Sequence, residues 1–238
     1  MVSDLFPLIA SGAEMRRGGK VLVGPVDLHL DPDGVTVVIG PNGAGKTSLL
    51  RILHGIGRLS GGQLSWRCEE AAARSRQSFV FQSPVMLRRS VRENLVYPLR
   101  IRGVSRREAI ARAVDWATRV GLSETLNRQA TRLSGGERQK LALARAMISE
   151  PEVLFLDEPC AALDGRATRE IEEILGSIVA SGTRLIMASH NMGQVRRLAT
   201  EVVFILSGRV HEFSDVQKFF EGPETEEARA FLRGDIVE

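Results

Sequence analysis

Two hydrophobic periods take turns along this chain. Val26, Leu28 and Leu30 alternate with polar residues, the two-residue repeat of a half-buried strand, and Thr36 to Ile39 is a short apolar run between Gly34 and Gly40. Lys46 to His54 then places Leu49, Leu50 and Leu53 on one side, which predicts a helix; Ser105 to Val120 and Glu137 to Ser149 repeat that spacing at greater length. Strand-like runs return at Val153 to Asp157, Arg184 to Ser189 and Val202 to Leu206, with a helical pattern from Gly165 to Ala180 between the first two. Strands alternating with helices predict an α/β architecture, with a largely parallel sheet covered on both faces.

Between Pro84 and Arg132 the pattern changes to helical segments broken at Pro98, Gly103 and Gly121, which predicts an inserted helical subdomain. Asp215 to Glu238 has helical stretches around Val216 to Phe220 and Glu226 to Leu232, divided by Gly222 and Pro223, and is too short for a regulatory domain. The expected organisation is a single domain over 1–238. Its α/β core spans 1–83 and 133–214, its helical insert 84–132 and its tail 215–238.

Composition narrows the classes. With 43% hydrophobic and 26% charged residues in 238, the chain is not disordered, and its longest apolar runs, such as Val35 to Ile39, are strand-sized rather than membrane-spanning. Met1 to Ala13 carries Asp4 and no basic residue before its apolar part, unlike a secretory leader, so a cytoplasmic protein is expected. Cys68 and Cys160 have neither zinc-site spacing nor disulfide density and read as buried or incidental thiols. A net charge of +3 suits nucleic acid, anionic lipid or a phosphorylated ligand equally well.

The chemistry is carried by two motifs. Gly40-Pro41-Asn42-Gly43-Ala44-Gly45-Lys46-Thr47, followed by Ser48, lies between a buried strand and a helix. Glycines let backbone N–H groups wrap a phosphate chain, the helix N-terminus adds its dipole, Lys46 would reach the β and γ phosphates and Thr47 would coordinate Mg2+. Asp157 and Glu158 end the apolar strand Val153 to Leu156, at the edge where open α/β sheets bind ligands. Asp157 would hold magnesium and Glu158 would polarise the attacking water, so the pair of motifs predicts an ATPase.

Leu133-Ser134-Gly135-Gly136-Glu137, between the insert and the Asp157 strand, resembles the signature motif of the ABC (ATP-binding cassette) ATPases. As a helix start with Ser134 and Glu137 placed for a capping box, it is a second anion site. The resemblance implies a P-loop NTPase fold of the ABC ATPase type, with a mostly parallel sheet, an N-terminal antiparallel β part and an inserted helical subdomain. It also implies a head-to-tail homodimer in which each signature motif closes over the other copy's ATP. Gln82 resembles the family's glutamine loop, a sensor of magnesium and γ-phosphate. Ala162-Leu163-Asp164 resembles the loop that crosses the dimer interface, and His190 stands where the family keeps its switch histidine. His29, His54 and His211 are expected to be structural.

Two departures stand out. Where the family stacks the adenine on an aromatic residue, Met15 to Lys20 has none, so Arg17 or Arg16 is expected to stack on the base instead. Cys160-Ala161 replaces the hydroxyl pair common in the family.

A lone cassette without a membrane segment resembles an importer subunit. Its partners would be transmembrane permease subunits at the cytoplasmic face of the membrane and, indirectly, an extracytoplasmic substrate-binding protein. The arginines of the insert, from Arg88 to Arg107, flank Leu87, Val91, Leu95 and Tyr97, with no set of aromatics to stack on bases; a permease contact is expected there and no nucleic acid. His190-Asn191-Met192 resembles phosphate-importer ATPases. Gln194 to Leu198, with Glu227 to Leu232, is closer to tungstate importers. Import of an oxyanion, tungstate first, is the expectation; phosphate or molybdate import and a soluble ATPase acting on nucleic acid are the alternatives.

Overall fold

The computed structural model describes residues 4–235; residues 1–3 and 236–238, the outer ends of the leader and tail readings, lie outside the described residues. The chain begins with a long hairpin of β1 (Leu8–Arg17) and β2 (Lys20–Leu30), turning at Gly18-Gly19. β3 (Val35–Ile39) follows, buried at every position, and then α1 (Lys46–His54). β4 (Gly61–Ser65) pairs antiparallel with β1, completing a three-stranded sheet of order β2-β1-β4. After α2 (Glu70–Ser75) and β5 (Gln77–Val80) come α3 (Val91–Ile101) and α4 (Arg106–Arg119).

The second half alternates α5 (Gly135–Met147), β6 (Val153–Asp157), α6 (Gly165–Ala180), β7 (Arg184–Ala188), α7 (Met192–Leu198) and β8 (Glu201–Leu206). It ends with β9 (Arg209–Asp215), α8 (Val216–Glu221) and α9 (Glu226–Arg233). β5-β6-β7-β3-β8-β9 form one sheet, parallel except for the β8–β9 pair. Because the five parallel strands run the same way, the loops after β3, β5, β6 and β7 all leave from one edge, and that edge is the site.

Hydrophobic burial on the two faces of this sheet makes two cores. Val38, Phe155 and Ile186 point toward α1 and the small sheet, while Val37, Leu154 and Leu185 point toward α5, α6 and the tail. A third cluster joins Leu95 and Leu99 of α3, Ala113 of α4 and Leu141 and Ala144 of α5, so the helical layer is welded to the helix that follows it. Truncating any of these leucines to alanine costs about 2–5 kcal/mol.

The structure corrects several expectations. Pro98 does not break a helix: α3 runs through it, losing one N–H but keeping Leu95 and Leu99 buried on either side. α5 starts at Gly135, two residues before the expected Glu137, because Ser134 caps it. Both cysteines are partly exposed rather than buried, and Cys160 is not incidental, since its Sγ accepts a hydrogen bond from Gln194 Nε2 at 3.0 Å. Several insert arginines are tied down: Arg102 donates to the Ser75 and Ser149 carbonyls, and Arg89 lies over the Tyr97 ring. His54 packs edge-on to Phe79 and Phe155, and burial lowers its pKa to about 4, leaving a neutral structural imidazole.

Candidate nucleotide site

The loop from Gly40 to Gly45 has a shape other residues would not allow. A Cβ on Gly40 would sit 2.0 Å from the Ile205 carbonyl oxygen. Gly45, at φ 107°, immediately precedes α1 and would bring a Cβ to 2.9 Å from the Leu22 carbonyl oxygen. With glycine at that position, α1 has no side chain capping its first N–H groups and no acidic residue in its first turn. Serine, threonine, aspartate or asparagine caps every helix from α3 to α9. An uncapped, unneutralised helix start is where an anion gains most from amide donors and dipole.

Lys46, the first residue of α1, is 6% exposed, and its Nζ donates to the carbonyls of Gly40 and Pro41 at 2.9 and 3.0 Å. It also lies 3.5 Å from Glu158 Oε1. The next residue, Thr47, donates its hydroxyl to Asp157 Oδ1 at 2.9 Å. Burial raises the Asp157 carboxyl above its ordinary pKa; the Thr47 hydrogen bond opposes this and the nearby Glu158 charge adds to it.

Glu158 is held in an uncommon left-handed conformation, φ 47°, with its N–H on the Ala188 carbonyl at 3.1 Å. Its Oε2 receives Gln82 Nε2 at 3.2 Å and lies 3.1 Å from His190 Nδ1. One carboxylate thus joins residues from the loops after β5, β6 and β7.

Lys46, Thr47, Gln82, Glu158, Ala162 and His190 line a cavity of about 600 Å3, with Asn42, Gly43, Gly45 and Ser48 on the same wall. A cavity of about 620 Å3 floored by His54 and Gln77 lies elsewhere, so size alone does not select a site; the convergence of the lysine, the carboxylates and the open helix end does.

The other expected residues sit apart. Ser134, Gly135, Gly136 and Glu137 face Leu163 and Asp164 across a separate depression. Ser134 Oγ accepts the Glu137 N–H and Glu137 accepts the Ser134 N–H, a full capping box, while Leu133 is buried beneath. Arg17 is exposed at the tip of the β1–β2 hairpin and lines neither cavity; Arg16 is ion-paired with Glu14. Sequence reasoning gave no site role to Ser189 or to Gln194, which it read only as part of the tungstate-importer resemblance; they are 3% and 1% exposed, and their polarity within four residues of His190 was the signal that could have found them.

A six-stranded, mostly parallel sheet with a glycine loop into an open helix and a carboxylate pair on a neighbouring strand defines a P-loop nucleoside triphosphatase. Residues 23–161 match the family described as ABC transporter, and the chain belongs to that family, as one of its ATP-hydrolysing cassettes. It is 37% identical to the tungstate uptake system ATP-binding protein TupC of Peptoclostridium acidaminophilum, over 86% of this chain and 97% of that one. It is 34% identical to the phosphate import ATP-binding protein PstB 2 of Natronomonas pharaonis, over 97% of this chain and 87% of the relative. The fold matches cbiO1 of Clostridium perfringens, part of the ABC transporter complex cbiONQ, with TM-score 0.81 at 24% identity over 96% of each chain.

Proposed function

We propose that this chain is the ATPase subunit of an oxyanion importer, tungstate being the first candidate, and that it works as a pair of copies beneath a separate permease. The observation that carries the chemistry is the Glu158 carboxylate, shared by Gln82, His190 and Lys46 at one wall of the phosphate-loop cavity. The substrate rests on the relatives that import tungstate and phosphate.

In this reading the α1 amides and Lys46 bind the β and γ phosphates of ATP. Thr47 and Asp157 place two hard oxygens 2.9 Å apart beside Gln82, a donor set that suits Mg2+. Bound there, the ion would neutralise phosphate charge. Glu158 accepts the proton of the attacking water, while His190 and Gln82 hold the carboxylate in place. Ser134 and the Gly135 and Gly136 amides of a second copy supply donors to the γ-phosphate, with Ala162 to Asp164 crossing between copies. Ser134 spends only an acceptor on its cap, so its O–H is free to donate. Arg17, bare at the hairpin tip, stacks on the adenine.

The permease contact falls on a groove of about 450 Å3 between the β5 edge and α3. Val85 and Ile101, 76% and 68% exposed, rim it together with Phe81 and Tyr97. No described helix is long and apolar enough to cross a membrane. Arg145 of α5 donates to the Val85 carbonyl and to Asn94 of α3, so movement of the groove reaches the signature helix through one guanidinium.

The test is tungsten and molybdenum content, by elemental mass spectrometry, in source cells lacking this gene and grown at limiting oxyanion. Tungsten restored by the wild-type gene and not by Glu158→Gln supports the reading. Unchanged tungsten and molybdenum with lost phosphate uptake replaces tungstate by phosphate, the substrate named for the relative aligned over 97% of this chain.

A further inference from the structure

Glu158 and His190 touch through their side chains, but the segments that carry them are also joined by a second route. Ser189, immediately before His190, accepts the Asn191 N–H at 3.1 Å and donates its Oγ–H to Gln194 Oε1 at 2.8 Å. Gln194 lies in the first turn of α7, its own N–H on the capping Asn191 side chain at 3.0 Å. At the far end of the same amide, Nε2 donates to Cys160 Sγ at 3.0 Å and to Glu172 Oε1 at 3.4 Å. Cys160 stands two residues after Glu158 and two before Ala162.

The amide orientation follows from its neighbours. A carboxylate can only accept, so the Glu172 side must meet –NH2. The Ser189 oxygen already takes the Asn191 N–H, so its proton goes to the amide oxygen. Glu172 is locked in turn by a two-pronged Arg197 pair at 2.7 and 2.8 Å. Burial keeps the Cys160 thiol protonated by raising its pKa, so it meets the amide as a neutral acceptor. Every polar atom in this 1% exposed side chain is satisfied, and it binds three backbone segments at once.

We propose that Gln194 is a positioning residue that couples the Ala162–Asp164 loop to His190, by bridging Ser189 Oγ and Cys160 Sγ along a route separate from the Glu158 carboxylate. The hydroxyl pair usual in the family is absent here, and the thiol of Cys160 takes the N–H. A shift of the loop pulls on Cys160, then on the amide and Ser189, and so on the residue next to them that faces Glu158. This rests on the roles given to His190 and Glu158 above.

The experiment is steady-state ATPase kinetics on the purified chain with Gln194→Met, which keeps volume and removes the bridge, and with Cys160→Ala against Cys160→Ser. The expected result is a drop in kcat of at least tenfold for Gln194→Met, with KM for ATP within twofold of wild type. A smaller drop is expected for Cys160→Ala, with recovery in Cys160→Ser, whose hydroxyl can accept the same N–H. Alkylation of Cys160 by iodoacetamide, with Cys68 as internal reference, should speed up at least threefold in Gln194→Met.

Wild-type kcat in Gln194→Met overturns the proposal, and so does a Cys160→Ser no better than Cys160→Ala. If Gln194→Met does not fold, the two Cys160 variants, altered at the partly exposed end of the bridge, decide alone. A dead Glu158→Gln beside a fully active Gln194→Met would refute the bridge and leave the site intact. Full turnover in Glu158→Gln would remove the assigned base, while the Cys160 pair would still report whether the bridge governs turnover.

Discussion

The two ends of the same parallel sheet are both polar and both buried, yet they are built differently. At the end where β3, β7 and β8 begin, Arg184 is 2% exposed and donates to Thr36 Oγ1, to Glu201 Oε1 and to the Asp31 carbonyl. That network closes on itself: its guanidinium donors are spent on protein oxygens, and burial lowers the Arg184 pKa against the opposing pull of Glu201. At the other end, Lys46 and Glu158 pair with each other and line a cavity, Asp157 is held by Thr47 on the same wall, and the helix start beside them has no cap. The lesson is that buried charge alone does not mark function. Charge whose hydrogen-bonding capacity is left facing a cavity does.

Substitutions at the two ends should therefore separate activity from stability. Glu158→Gln is expected to lower ATP turnover by about 10²–10⁴-fold, the usual worth of a general base, with unfolding free energy unchanged. Single-turnover assays and thermal melts read the two parts, and a melt that falls along with turnover would blur the contrast. At the opposite end, Glu201→Gln should leave Arg184 short of a counter-charge and cost about 3 kcal/mol of stability, with kcat per folded molecule retained.

A third outcome concerns pH. His54 is held neutral with its pKa lowered from 6.5 to about 4, so the unfolded chain takes up this proton first. Its contribution is complete above pH 6.5 and is lost as pH falls toward 4, by at most about 3 kcal/mol. Urea melts across that window should show the loss, and His54→Phe should flatten it. The smallest effect is expected at the hairpin tip. Arg17→Ala should weaken ATP binding by about 1 kcal/mol, a few-fold in Kd, as for an exposed stacking contact. Titration calorimetry with Arg16→Ala as the paired control reads it; two silent variants would dismiss the arginine stack.

Much of the fold and of the site is legible in the sequence itself. The helices at Lys46–His54 and Gly165–Ala180 lie where their periodicity put them, because each buries one clear face, and the strand at Val153–Asp157 lies where its unbroken apolar run put it, because both of its faces are covered. The first sheet was hard to read. β1 shifts register between Ala10 and Ala13, again between Ala13 and Met15 and again between Met15 and Arg16, and each shift scrambles the alternation that would announce a strand. Pro98 misled because its local rule is strong, while the packing of Leu95 and Leu99 that outweighs it is tertiary. In the site, Lys46, Thr47, Asp157 and Glu158 are adjacent in sequence within their motifs. The bridge from Cys160 through Gln194 to Ser189 spans distant positions, and a glutamine looks the same in sequence whether it ends at water or at a thiol.

Glu158 is attached at its place by its main chain: the N–H on the Ala188 carbonyl closes the β6–β7 pairing just past Asp157 and does not involve the carboxylate. Heredity therefore meets two separate filters at this position. With Glu158 as the proposed base, exchange for a residue that accepts φ 47°, such as glutamine or asparagine, is expected to be screened by turnover rather than by folding, so a lineage that makes it loses hydrolysis and inherits the same architecture.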